Sequence, residues 1–153
     1  MKLSVIIEQK ENRGIKLYTI DKDKNLQDVA VELTTNNVGA LLVLDKNETP
    51  VGIISERDII KYCCNDTPLS EVKVSDVMHK DIIVVQTDDT PEKASTIMAQ
   101  NHIRHLPVFD TTKKAIIGMI TVRDIIQAID EAKDLTITHM SDYIGGTYGS
   151  NVF

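Results

Sequence analysis

The chain has 153 residues, 42% of them hydrophobic, which is enough apolar material for one sizeable core or two small halves sharing one. The formal net charge is −6, and because a protein that binds nucleic acid needs a surplus of Lys and Arg, that function is disfavoured. The N-terminus reaches the charged Glu8 too soon for a signal peptide, and no apolar run approaches the roughly 20 residues that span a bilayer. We therefore expect a soluble, cytoplasmic protein that binds no membrane.

The first predicted elements lie in the N-terminal half of the chain. Leu26, Val29, Ala30 and Leu33 have the spacing of one helix face. Continuous apolar residues then predict two buried strands, and the second strand turns into a helix. The first of these strands lies within residues 38–45, and the second strand with the start of its helix covers residues 51–60.

Two adjacent cysteines, Cys63 and Cys64, follow that helix. Neighbouring cysteines seldom form a disulfide, because its geometry requires more widely separated α-carbons than one peptide link readily gives. No further cysteine lies at metal-ligand spacing. We expect both thiols to be buried and reduced.

The second half repeats this order of elements after a polar connector, residues 65–70, and one helical turn at Val74–Met78. The residues Thr90-Pro91-Glu92 predict a strong helix start, with a capping hydroxyl, a proline at the first helical position and an early acid. The predicted elements are a strand at Asp81–Gln86, a helix to about Asn101, strands at His105–Phe109 and Ile116–Ile120, and a helix from Val122 to about Glu131.

The residues after Lys133 include Tyr143-Ile-Gly-Gly and end at Phe153. This stretch has neither helical nor strand period, so we interpret it as a C-terminal arm that either packs on another subunit or is disordered. The predicted division of the chain is therefore residues 1–66, 67–133 and 134–153.

An internal repeat connects the two halves. Residues 51–60, VGIISERDII, align with residues 117–126, IGMITVRDII, and residues 38–45 align with residues 103–110. Each half has the order strand, helix, strand, strand, helix. Since one half cannot bury both faces of its sheet, we predict a mixed α/β (α+β) fold in which two β-α-β-β-α units pack as a pseudo-two-fold pair.

Each repeat contains a glycine followed by Ser or Thr and then Asp: Ser55 and Asp58 in the first, Thr121 and Asp124 in the second. A hydroxyl with an acid three residues later forms a helix-capping box, and the glycine allows tight packing. The same geometry also suits a ligand, because a carboxylate beside a helix N-terminus can accept both ribose hydroxyls while the free N–H groups favour an anion. The sequence leaves both interpretations open.

Basic residues favour a phosphorylated ligand. Arg104 and His105 precede a buried strand, and Arg binds phosphate oxygens in a bidentate manner while His adds a pH-sensitive donor. Such a pair is also compatible with simple solvation. Arg57 and Arg123, next to the candidate ribose acids, add further positive charge to an otherwise acidic protein.

These motifs resemble the stand-alone bacterial and archaeal proteins built from a pair of cystathionine-β-synthase-type (CBS) repeats, also called a Bateman module. The resemblance covers about Ile15 to Ile129 and rests on several motifs in fixed order, each present twice. It implies a disc-shaped pair of repeats that binds AMP, ATP, S-adenosyl or dinucleotide ligands between two sheets. It also implies a homodimer that pairs helices of both subunits.

The resemblance assigns roles to individual residues. The ribose role falls on Asp58 and Asp124, with Ser55 and Thr121 beside them. The phosphate role falls on Arg104 and His105 before Leu-Pro107-Val, and the adenine role on Ile82 and Ile83. The first repeat departs from the pattern, because Gly39-Ala40 replaces the basic pair and Leu42 replaces the proline. A complete phosphate site in the first cleft therefore requires basic residues from the second repeat.

We interpret the protein as a non-enzymatic, energy-sensing module that binds an adenine nucleotide and regulates an unidentified partner protein in trans. Neither catalysis nor metal binding is supported, since His79, His102, His105 and His139 follow no ligand spacing. The alternative is a ligand-free protein-interaction or dimerisation scaffold. In the first interpretation, Asp124 and the pair Arg104–His105 face one shared hollow.

Overall fold

The computed structural model of the protein describes residues 1–148. It contains two three-stranded sheets with strand orders β1-β2-β3 and β4-β5-β6, which confirms the predicted pair of mixed α+β units. In each sheet the first two strands are parallel and the last two are antiparallel. The helices are α1 Leu3–Asn12, α2 Leu26–Asn36, α3 Glu56–Tyr62, α4 Val74–Val77, α5 Pro91–Asn101 and α6 Val122–Tyr148, and the strands are β1 Thr19–Asp21, β2 Ala40–Leu44, β3 Pro50–Ser55, β4 Val85–Gln86, β5 His105–Asp110 and β6 Ala115–Thr121.

Local sequence explains where the helices α2 and α5 begin and end. The Asn25 side chain accepts the Asp28 N–H at 2.9 Å, and Thr90 Oγ1 accepts the Lys93 N–H at 3.2 Å. Both helices end on a residue in the left-handed conformation, Asn37 with φ 52° and His102 with φ 54°. The predicted helix start at Thr90-Pro91 is confirmed.

The segment that precedes each repeat packs on the other repeat. Helix α1 comes before the first sheet, yet its Leu3, Ile6 and Ile7 are buried in the core of the second. Helix α4 comes before the second sheet, yet its Val74 is fully buried in the core of the first. We call α1 and the stretch from α4 to His79 the crossing segments.

The crossing segments explain the glycine in each repeat. A Cβ atom on Gly52 would lie 2.6 Å from Met78 Sδ and 2.9 Å from the His79 carbonyl oxygen. A Cβ on Gly118 would lie 2.7 Å from Ile7 Cδ1. Both glycines therefore give a crossing segment room to lie directly on the third strand of a sheet.

Three sequence-based predictions of local structure are wrong. The strand predicted over Asp81–Gln86 is reduced to Val85–Gln86, because only these two residues pair with β5. The thiols of Cys63 and Cys64 are free as expected but exposed, since α3 ends at the surface before the connector.

The third wrong prediction concerns the last helix. Helix α6 continues to Tyr148 instead of ending near Glu131, so residues 134–148 are helical although they lack an obvious helical period. Residues 134–142 and Ile144 are exposed, and Gly149–Phe153 lie outside the described residues. The division into residues 1–66, 67–133 and 134–153 stays a prediction, with the added fact that α1 packs on the second repeat. No helix among residues 1–148 has the length and apolar character to cross a membrane.

Candidate ligand-binding clefts between the repeats

Both Ser/Thr-x-x-Asp motifs form the predicted capping arrangement at the end of a third strand. Asp58 Oδ2 accepts the Ser55 N–H at 2.9 Å and the Ser55 hydroxyl at 3.2 Å. Asp124 Oδ2 accepts the equivalent Thr121 groups at 2.8 and 3.0 Å, and the Asp124 N–H donates back to Thr121 Oγ1 at 3.2 Å. Each carboxylate is thus fixed in place by its own helix start.

The first cleft has a volume of about 370 Å³, which lies in the range of small-molecule sites. It joins the third strand and α3 of the first repeat to the start of the second repeat and its β5 strand. The motif residues Ser55 and Asp58 therefore face the basic pair Arg104–His105 from the other repeat. The candidate site residues lining it are Ser55, Arg57, Asp58, Ile83, Arg104, His105 and Pro107.

The first cleft also holds charged side chains that the sequence did not single out. Lys61 and Lys80 add two cations, while Glu56 and Asp81 add two acids. His79 lies at the rim, with its Nε2 2.9 Å from Asp58 Oδ1. Asp58 is buried, whereas the His79 side chain is 63% exposed, so the hydrogen bond to that carboxylate oxygen comes from a group at the surface.

His105 stands where the two halves of the chain meet. Its Nε2 would be 2.8 Å from a Cβ on Gly39, so the neutral residue of the first repeat makes room for this ring. Burial lowers the pKa of His105, Arg104 and Lys10 lower it further, and the nearby carboxylates of Glu56 and Asp124 oppose the shift. The ring is therefore mostly neutral at pH 7.

The second cleft, of about 280 Å³, is the pseudo-symmetric counterpart of the first. It joins Thr121 and Arg123 to Gly39, Ala40 and Tyr18 of the first repeat. His105 reaches it as well, so this ring borders both clefts. The basic residues that line this cleft are Lys10, Lys16, His105 and Arg123, and none of them lies at the β2 end.

Asp124 lies beneath the wall of the second cleft and is paired with a lysine. Lys10 Nζ on α1 donates to Asp124 Oδ2 at 2.6 Å and to the Met119 carbonyl oxygen at 3.0 Å. The side chains of this ion pair are only 11% and 12% exposed. The sequence did not predict this contact, because it depends on α1 packing against the opposite repeat.

The structure divides the candidate residues differently from the expectation. Arg104 and His105 face Asp58 across the first cleft, whereas Asp124 is paired with Lys10. The basic residues required by the first cleft thus come from the second repeat. Ile83 lines the first cleft, while Ile82 is half-buried and lines neither. The division follows from the crossing of the two halves in space, which a linear pattern does not encode.

The fold and these two clefts define a tandem pair of repeats with a cavity on each side of a pseudo-two-fold axis. The family model for the CBS domain matches the chain twice, at residues 13–65 and 74–131. The chain therefore belongs to the CBS-domain family. It is 31% identical over 135 residues to an uncharacterized 17.7 kDa protein of Acidianus ambivalens, covering 86% of this chain and 79% of that one. The match spans 51% of the length of an uncharacterized protein of Methanopyrus kandleri and 63% of the length of the CBS domain-containing protein CBSX3 of Arabidopsis thaliana.

Solved structures share the fold. A CBS domain protein from Pyrobaculum aerophilum, determined in complex with AMP, superposes with a TM-score of 0.71 at 22% identity, covering 81% of this chain and 89% of that one. CBSX2, also determined in complex with AMP, has a TM-score of 0.68 at 24% identity, with 86% and 98% covered.

Proposed function

We propose that the protein is a regulatory module that binds an adenine nucleotide in the first cleft and acts in trans on a partner protein. The observation that carries the proposal is the meeting of Asp58 with Arg104–His105 across one cavity of about 370 Å³. These groups come from opposite repeats, and together they suit the two polar ends of a sugar phosphate. The AMP complexes of two proteins with this fold support the choice of ligand.

Each part of a nucleotide has a matching group in the first cleft. Asp58 Oδ1 accepts ribose hydroxyls once His79 moves away, and its other oxygen stays bound to the helix start. The Arg104 guanidinium binds phosphate oxygens, with Lys61 and Lys80 at hand for further charge. Ile83 and neighbouring apolar side chains offer a surface for adenine.

Regulation follows from the position of the cleft. A ligand that touches both repeats binds best to one relative arrangement of the two, and it shifts the module toward that arrangement by the difference in affinity. An exposed apolar surface lies on α6, where Leu135, Ile137, Met140 and Ile144 are each about 60% exposed. We assign this surface to contact with the regulated partner or a second copy of the chain.

A thermal-shift experiment separates this function from a ligand-free scaffold. AMP, ADP, ATP, NADH or S-adenosylmethionine at about 100 times Kd should stabilise the fold by roughly 2.7 kcal/mol, which is a rise of roughly 5–10 °C in melting temperature. Asp58→Asn keeps an acceptor for Ser55, so the ligand-free protein should melt within about 2 °C of wild type while the shift largely disappears. A melting temperature unaffected by all five ligands would leave the scaffold as the function.

The scaffold has one observation in its favour. Both motif carboxylates already have structural partners: the Ser55 and Thr121 groups, together with His79 and Lys10. Under this second function none of the five ligands would change the melting temperature of wild type or of Asp58→Asn.

A further inference from the structure

Each motif carboxylate is covered by a side chain that arrives on a crossing segment. In the first repeat, the His79 N–H donates to the Ile53 carbonyl at 2.9 Å, and its imidazole Nε2 lies 2.9 Å from Asp58 Oδ1. In the second repeat, the single ammonium of Lys10 makes the corresponding contacts to the Met119 carbonyl and to Asp124. Ile53 and Met119 hold equivalent positions, one residue after Gly52 and Gly118, so His79 and Lys10 are structural counterparts.

The two covers differ in how easily they can be displaced. The His79 side chain is 63% exposed, so its ring can turn into water while its backbone stays paired with Ile53. Lys10 is 11% exposed and sits on α1, which is held by buried Leu3 and Ile7 and by a hydrogen bond from Leu3 N–H to the Asp89 carbonyl at 2.9 Å. Displacing Lys10 would leave two mostly buried charges without partners.

The two carboxylates therefore differ in how strongly each can bind the hydroxyls of a ribose. Once His79 has turned away, Asp58 presents an oxygen that has no ion-pair partner within 4.0 Å among the described residues. Asp124 Oδ1 accepts no hydrogen bond from residues 1–148, but the charge of the carboxylate is already compensated by an ammonium at 2.6 Å. A ribose hydroxyl forms its strongest hydrogen bond to a carboxylate that has no cationic partner.

The strand ends that face the two clefts also differ. In the first cleft the β5 end contributes Arg104 and His105, and in the second the equivalent β2 end contributes Gly39 and Ala40. The basic residues of the second cleft are Lys16, Arg123 and the shared His105, together with Lys10, which is already paired with Asp124.

We propose that the two clefts are not equivalent: His79 is a displaceable cover of the nucleotide site, and Lys10 is a fixed internal counter-ion that keeps the second cleft free of nucleotide. The proposal rests on the proposed nucleotide binding and adds its stoichiometry, one nucleotide per chain. It also makes release of His79 from Asp58 part of each binding event.

The first test needs no ligand. The intact protein is treated briefly with diethyl pyrocarbonate or with an acetylating N-hydroxysuccinimide ester, and modified residues are quantified by mass spectrometry. His79 should react much faster than the largely buried His105, and Lys10 at least tenfold more slowly than Lys93, whose side chain is 58% exposed. Equal rates for Lys10 and Lys93 would refute the fixed counter-ion, and a protected His79 would refute the displaceable cover.

The second test is titration calorimetry with AMP on the full chain. Wild type should bind one AMP per chain, Asp58→Asn should weaken binding tenfold or more, and the matched variant Asp124→Asn should change affinity by less than twofold. Two AMP per chain, one of them lost in Asp124→Asn, would overturn the inequivalence and leave nucleotide binding intact. No binding to wild type would overturn nucleotide binding and this inference with it.

The variant His79→Ala tests the role of the cover directly. Removal of a group that competes with the ribose should raise AMP affinity severalfold, with the fold verified by circular dichroism. A tenfold loss of affinity in a folded variant would show that His79 contacts the nucleotide instead of making way for it.

Discussion

The substitutions Gly52→Ala and Gly118→Ala test how the crossing segments are held. At Gly52 a new Cβ meets three atoms closer than 3.0 Å, Met78 Sδ at 2.6 Å, Met78 Cγ at 2.9 Å and the His79 carbonyl oxygen at 2.9 Å. Met78 can move, but the carbonyl belongs to a backbone that is paired with Ile53. Overpacking of this kind costs about 3 kcal/mol, the upper end of the usual range.

At Gly118 the atom in the way belongs to a flexible side chain instead of the backbone. The only contact closer than 3.0 Å is the end of the Ile7 side chain, at 2.7 Å. A change of side-chain rotamer relieves it, so Gly118→Ala should cost about 1 kcal/mol. For a chain of this length, where 1 kcal/mol corresponds to roughly 2–4 °C, the expected falls in melting temperature are about 6–12 °C for Gly52→Ala and 2–4 °C for Gly118→Ala.

Urea unfolding followed by circular dichroism, together with calorimetry, measures both variants. Ile7→Val removes the atom that Gly118→Ala would strike, so the double variant should show almost no further loss from the alanine. Equal destabilisation by Gly52→Ala and Gly118→Ala would refute the reasoning, and so would an alanine cost at Gly118 that Ile7→Val leaves unchanged.

Three further predictions follow from charge and exposure. Burial lowers the pKa of His105, so below about pH 6.5 the unfolded chain binds more protons than the folded chain, and the free energy of unfolding should decrease as the pH falls from there to the folded pKa. Urea titrations of His105→Gln should show a smaller decrease over this range, and identical pH profiles for the two proteins would contradict this. Arg104→Gln should weaken AMP about tenfold and adenosine by less than twofold in calorimetry, and equal losses would remove Arg104 from the phosphate. A chain ending at Lys133 should melt within about 2 °C of the full chain, since residues 134–142 are exposed, and a larger fall would show that this part of α6 supports the body.

The features that were predictable from sequence are those encoded within one half of the chain. The register of the two repeats, the helix start at Thr90-Pro91 and the capping role of Asp58 and Asp124 depend on residues close together in sequence. Local hydrogen bonds and hydrophobic periodicity are sufficient for such features.

The features that were missed depend on contacts between the halves. Nothing near Lys10 in sequence indicates Asp124 as its partner, and nothing near Arg104 indicates Asp58 across the cleft. The helical course of residues 134–148 was also missed, because Thr and Gly disfavour helix and the pattern lacks a clear period. The exposed cysteines show that an apolar helix can end at the surface, where small thiols are tolerated.

The exchange of crossing segments has a consequence for the origin of such a chain. Half of it, isolated after residue 66, would keep a leading helix whose buried leucine and isoleucines have no sheet of their own to cover. Two identical halves could complete one another by trading these helices, as in a domain-swapped dimer. The present molecule has the architecture of such a dimer joined into one chain, with a lysine on one leading segment and a histidine on the other.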